Sequence, residues 1–245
     1  MGEYARATRH PLSCLLFLAP LLALYEGGVI WLGGVHADPN LRNGADAWLR
    51  WALGSYGLGA VWIAPIAVLL FFLARTVATW PTRPRELFAV LFGMALECGV
   101  FAALLWAVSI NFKPLLEQAG IPLTVPAEGK SLASSAQAEL LVRYLGAGIY
   151  EEVIFRLALF GILCQFFRIA LFPQPLALIL AAIAAALLFA GAHHMGASGE
   201  PVVPIRFAFR TLAGLYFTVL YVTRGFAVAV GDHAGYDIMV GVTVN

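Results

Sequence analysis

Charge is what this sequence of 245 residues has least of. Only 29 side chains are formally charged, 15 Lys+Arg and 14 Asp+Glu, or 12% of the chain, while 61% is hydrophobic. A soluble chain is about a quarter charged, so the polar surface needed to cover a water-soluble globule of this size is missing. Cysteine is also scarce. Cys14, Cys98 and Cys164 each sit in an apolar run without metal-type spacing, which excludes a disulfide framework and leaves them as small buried hydrophobes. Lysine occurs twice beside 13 scattered arginines, for a net charge of +1. Phosphate binding needs clustered cations, so no nucleic-acid partner is expected. A small-residue cleavage site is lacking after Arg6 and Arg9, where the apolar run continues to Trp31-Leu32. The segment therefore reads as a retained span rather than a secretory signal.

Long apolar runs are abundant. Seven are long enough to cross a bilayer: Leu12–Leu32, Gly54–Ala74, Glu86–Ile110, Glu139–Phe167, Gln174–His194, Pro204–Val222 and Phe226–Val244. At roughly 20 residues per crossing they leave no room for a separate soluble domain. Their continuity and length exclude the roughly ten-residue alternating strands of a membrane barrel. We expect an all-α, polytopic transmembrane bundle of about seven spans, with six to eight allowed. It forms one integral membrane domain, with 1–138 as N-terminal helices without a motif and 139–245 holding the chemistry. No internal repeat is evident.

An ionisable group inside the hydrocarbon costs a few kcal/mol and so marks a wet cavity, a partner or a function. Three clusters qualify. Tyr150-Glu151-Glu152-Val153-Ile154-Phe155-Arg156 lies midway along the fourth run. Glu152 and Arg156, four apart, share a helical face and can neutralise each other, whereas Glu151 points about a hundred degrees away. A carboxylate without a local cation suits a general base. Phe189-Ala190-Gly191-Ala192-His193-His194 closes the fifth run, and His233 and Asp237 project from one face of the last. Taken singly, each cluster is equally a structural ion pair, an interfacial histidine or a polar helix end. Acid, base and imidazole groups converging from three spans can instead activate a water and hold an oxyanion.

The pattern Glu-Glu-x-x-x-Arg, Phe-x-x-x-His, His-x-x-x-Asn/Asp, present as Glu151-Glu152…Arg156, Phe189…His193 and His233…Asp237, resembles that of the CPBP (CAAX protease and bacteriocin-processing) intramembrane endopeptidases. These are related to the type II CAAX prenyl endopeptidases. The likeness covers about 139–245 and departs from the pattern at Asp237, where many members have Asn. It implies a membrane-embedded catalytic cavity in which Glu151, aided by His193, activates water for attack on a peptide carbonyl. His233 would donate to the oxyanion. An ionised Asp237 cannot donate as an amide does, so it is either protonated or orients His233. Glu152, Arg156 and Phe189 would be structural support. The resemblance leaves open a zinc ion, whose ligands would be Glu151, His193 and His233. Without an HExxH helix a metal-free mechanism is favoured. The implied partners are membrane lipid and a membrane-anchored substrate, prenylated or C-terminally anchored. The implied location is a bacterial cytoplasmic membrane.

Two other protease patterns fail on order. Gly196-Ala197-Ser198-Gly199 matches the rhomboid GxSG motif, but His193 precedes Ser198 in the same segment instead of lying on a later helix. Asp232 and Asp237 fall within six residues, whereas a presenilin-type aspartyl dyad needs two helices. The alternatives from other classes are a proton- or ion-coupled carrier, disfavoured by the lack of an inverted repeat, and a non-catalytic scaffold or immunity protein of the same fold.

Overall fold

The computed structural model describes residues 2–34, 41–57, 62–118, 134–195 and 199–243; Ser198 and most of the connection 122–135 lie outside them. Among the described residues the structure is helical throughout, without strands. The helices are α1 (Glu3–Thr8), α2 (Pro11–Gly33), α3 (Gly44–Ser55), α4 (Ile63–Ala78), α5 (Leu87–Gln118), α6 (Ser134–Gly146), α7 (Gly161–Ile169), α8 (Gln174–Ala192), α9 (Pro204–Arg224) and α10 (Phe226–Thr243). Two π-helical stretches, Ala147–Glu151 and Val153–Phe160, join α6 to α7, so the chain is helical without a break over 134–169. Among the described residues four helices, α2, α5, α8 and α9, are long and apolar enough to cross a membrane, and α4 is a shorter apolar helix of 16 residues. The molecule is a polytopic transmembrane bundle.

Local sequence accounts for the helix boundaries. α2 starts at Pro11, whose missing N–H costs nothing in a first turn. The His10 ring accepts from Leu12 N–H at 3.1 Å, and Gly34 ends the helix at φ 76°. Gly225, at φ 104°, ends α9 so close to Arg9 that a Cβ would meet its Cα at 2.9 Å. The second apolar run is realised differently from the expectation. Its first residues, Gly54 and Ser55, finish the short helix α3, a turn follows at Tyr56-Gly57 with Gly57 at φ 77°, and the apolar helix begins only at Ile63. Hydropathy alone does not register that glycine break, because Leu53 and Leu58 flank it in sequence.

The packing is that of a protein in lipid. Along α5, Phe88, Phe92, Leu96, Val100 and Leu104 recur every four residues and are exposed, while Val90, Met94, Cys98 and Ala102 are buried. One helix thus presents an apolar stripe outward and a second, smaller one inward. The largest core cluster gathers residues from α2, α4, α5, α10 and the segment around Ile149-Tyr150. α10 packs against α5, and α8 against α9. Buried Glu26 of α2 pairs with Arg42 and Arg50, and the half-buried Glu97 of α5 pairs with Arg224 of α9.

Candidate active site

Small residues bring the site's helices together. Ala177, Ala181 and Ala185 form a buried row along α8 at four-residue spacing, and the same spacing continues to Phe189 and His193. Such a row lets a neighbouring helix approach closely. Gly214 of α9 is so near α8 that a Cβ there would meet Ala186 Cα at 3.0 Å. Gly148 serves the same end on the other side: a Cβ there would lie 2.7 Å from the backbone nitrogen of Ala234 and 2.9 Å from the carbonyl oxygen of Val230, both on α10. The π-helical backbone over Ala147–Glu151 and Val153–Phe160 widens the turn carrying both glutamates, a departure from α geometry that recurs at functional sites.

The side chains named from the motifs meet at one place. Glu151 Oε2 is 3.8 Å from His193 Nε2 and 3.9 Å from His233 Nε2. His193 lies just past the end of α8 and places its Nδ1 2.8 Å from the Phe189 carbonyl oxygen. That carbonyl can only accept, so Nδ1 carries a proton and Nε2 faces Glu151. His233 Nδ1 is 2.8 Å from Glu152 Oε1, and its Nε2 is 3.7 Å from Asp237 Oδ2. Glu152 Oε1 is also 2.9 Å from Arg156 Nη1, both groups being almost fully buried. Arg156 Nη2 donates to the Gly214 carbonyl at 3.2 Å, and its guanidinium lies over the Phe189 ring, 4.4 Å from the centroid. Phe217 stacks on His233 at 4.3 Å between centroids. Phe189 and Phe217 therefore form an aromatic floor under one cation and two imidazoles, where cation–π attraction is strengthened by desolvation.

Two partners were not legible from motif spacing. Glu152 serves Arg156 and His233 together, rather than Arg156 alone. Glu151, read as a carboxylate without a local partner, accepts at Oε1 from Asn43 Nδ2 at 3.0 Å. Its Oε2 is buried and without a hydrogen-bond partner. Asn43 precedes α3, 108 residues away. Its only sequence signal was that of a helix N-cap, which says nothing about a second partner.

Asn43, Glu151, His193, His233 and Asp237 line a cavity of about 620 Å³, together with Tyr144, Phe209, Tyr236 and a basic set, Lys113, Arg143, Arg206 and Arg210, countered by Glu200. Glu200 ties the connection after His193 to α9. Its backbone N–H donates to the His193 carbonyl at 3.0 Å, and its carboxylate accepts from Arg210 at 2.9 Å and from Arg206 at 3.4 Å. Partial burial disfavours its charged form, but the Arg210 and Arg206 guanidiniums outweigh this and hold the Glu200 carboxyl below its ordinary range.

Glu151 stands farther from both imidazoles than ligands sharing one zinc ion would. Two donors at about 2.0–2.1 Å on a tetrahedral ion stand roughly 3.4 Å apart, closer than the 3.8 and 3.9 Å between Glu151 and the two imidazoles. Among the described residues no group of three or more His, Cys, Asp or Glu has metal-holding geometry.

Residues 134–239 match the family model described as type II CAAX prenyl endopeptidase Rce1-like. No curated protein and no solved structure matches the chain.

Proposed function

From the match of residues 134–239 to the Rce1-like family of type II CAAX prenyl endopeptidases, we propose that the chain belongs to that family and cleaves peptide bonds of membrane-anchored substrates by a glutamate-activated water. The family implies a protease of an integral membrane kind; the residue roles are our reading. A water bridging Glu151 Oε2 and His193 Nε2 would be polarised by both, since the gap of 3.8 Å between them is one that a single water spans. Glu151 takes a proton as the water oxygen bonds to the carbonyl carbon, and the carbonyl oxygen becomes an oxyanion. When the C–N bond breaks, the same proton passes to the leaving amine, yielding an amine and a carboxylic acid, and the acid then gives up its remaining proton to the amine or to water.

His233 is the oxyanion donor in this scheme. With Nδ1 engaged by Glu152, donation from Nε2 requires both ring protons, and Glu152 and Asp237 supply the counter-charge. Asp237, unlike the Asn of many relatives, acts through His233 and not as a second amide donor. A donor fixed before reaction in a site shielded from water can contribute about 10²–10³ in rate.

The observation that carries the reading is that Glu151, His193 and His233 converge on one cavity from three separate helical segments. The substrate class follows the family: a peptide held near a lipid anchor, prenylated or C-terminally anchored. The test uses the protein in liposomes with a fluorescence-quenched peptide bearing a farnesylated cysteine three residues from its C-terminus. Glu151→Gln and His193→Ala should each lose at least about a thousandfold in kcat while remaining membrane-inserted. Wild-type cleavage by both variants would end the proposal.

A further inference from the structure

Glu151 is held from a direction that the motif-bearing half of the chain does not supply. The Asn43 amide is engaged at both ends: Oδ1 accepts from Ala45 N–H at 2.8 Å, capping α3, and Nδ2 donates to Glu151 Oε1 at 3.0 Å. The pair of partners defines the amide's orientation, because the flipped amide would set NH2 against an N–H and an oxygen against a carboxylate. With Oε1 engaged, Oε2 alone faces the two imidazoles.

The anchorage of Asn43 is itself rigid. Its neighbour Arg42 pairs with Glu26 at 3.2 Å and Asp46 at 2.8 Å, and Arg50 pairs with the same two carboxylates at 2.7 and 2.6 Å. Tyr150, the neighbour of Glu151, donates to Glu26 Oε1 at 2.9 Å. The donor of the Asn43–Glu151 bond is thus one residue from a member of this buried ionic lattice, and the acceptor one residue from a tyrosine hydrogen-bonded to it. Such a lattice has two cations and two anions sharing four contacts, so moving one member disturbs all of them.

We propose that Asn43 is a positioning residue for the endopeptidase reaction: it pins Oε1 of Glu151 so that Oε2 receives the water's proton, with the Glu26–Arg42–Asp46–Arg50 lattice setting its place. This rests on the endopeptidase reading above. Asn43→Ser and Asn43→Asp both keep a side-chain oxygen able to cap α3 and lose the amide donor to Glu151. Asn43→Ser should melt like the wild type and Asn43→Asp, which sets a second carboxylate against Glu151, lower, each with kcat on the farnesylated peptide down roughly ten- to hundredfold and KM within about twofold. Undiminished kcat in Asn43→Ser would overturn the proposal. A second readout does not need turnover: dicyclohexylcarbodiimide labelling of Glu151, read by mass spectrometry, should accelerate several-fold in both variants relative to wild type. If wild type leaves the peptide uncut, the endopeptidase reading falls and the labelling decides the matter alone. Unchanged labelling then refutes the role of Asn43, and faster labelling upholds its hold on the carboxylate.

Discussion

Glu152 illustrates how far a single residue's role extends beyond its spacing. The four-residue separation from Arg156 made the ion pair legible in the sequence, because a helix puts i and i+4 on one face. The bond to His233 joins positions 81 apart and has no local signature. Removing Glu152 therefore leaves Arg156 buried without its counter-ion and also frees His233. Breaking a buried pair in this way costs about 3–5 kcal/mol. Glu152→Ala should mainly lower the yield of folded protein and its melting temperature in detergent. A stable but inactive Glu152→Ala enzyme would show that Glu152 acts in the reaction and would overturn its assignment as structural support. Asn43 was beyond reach for the same reason as His233: nothing local distinguishes a capping asparagine from one that also holds a glutamate of a distant helix.

Among the helices, most runs of apolar residues correspond to observed elements, while the details that place the site depend on glycine and on backbone irregularity. α2, α8 and α9 were legible almost to their ends from hydropathy and punctuation. The π-helical turns over Ala147–Glu151 and Val153–Phe160 were not, since a shift from i→i+4 to i→i+5 hydrogen bonding leaves the apolar pattern nearly intact. Gly148 is the test of this region. A Cβ there meets the backbone of α10, which cannot yield as a flexible side chain would. Gly148→Ala should thus separate the two segments, cost about 1–3 kcal/mol and reduce cleavage by moving Glu151 away from His233. The control is Gly27→Ala in α2, where nothing lies within 4 Å of the added carbon. Equal melting temperatures for the two variants would show that the close approach does not constrain the site.

Across the molecule, the division into a motif-free first part and a motif-bearing second part describes the sequence better than the structure. The core cluster draws on both, and the ionic lattice of α2 and α3 stands directly behind Tyr150 and Glu151. Chemistry of the whole assembly is tested by metal removal. Cleavage should persist after exhaustive chelation, in protein whose metal content is below stoichiometric by elemental analysis. Activity that disappears with the chelator and returns with zinc would replace the glutamate mechanism with a metal-assisted one.

The sequence by itself determined the class of protein, its helical bundle and the motif residues of the cavity. Hydropathy, helical period and short spacings are local properties, and 29 charges among 245 residues make the few inside lipid conspicuous. Only the tertiary structure decided which oxygen of Glu151 faces the imidazoles, that Glu152 binds His233, and that Asn43 reaches across the bundle. The Glu152–His233 and Asn43–Glu151 contacts join residues 81 and 108 positions apart, and the distance between such side chains is set by the close packing of helices on glycine and alanine, which spacing along the chain does not encode.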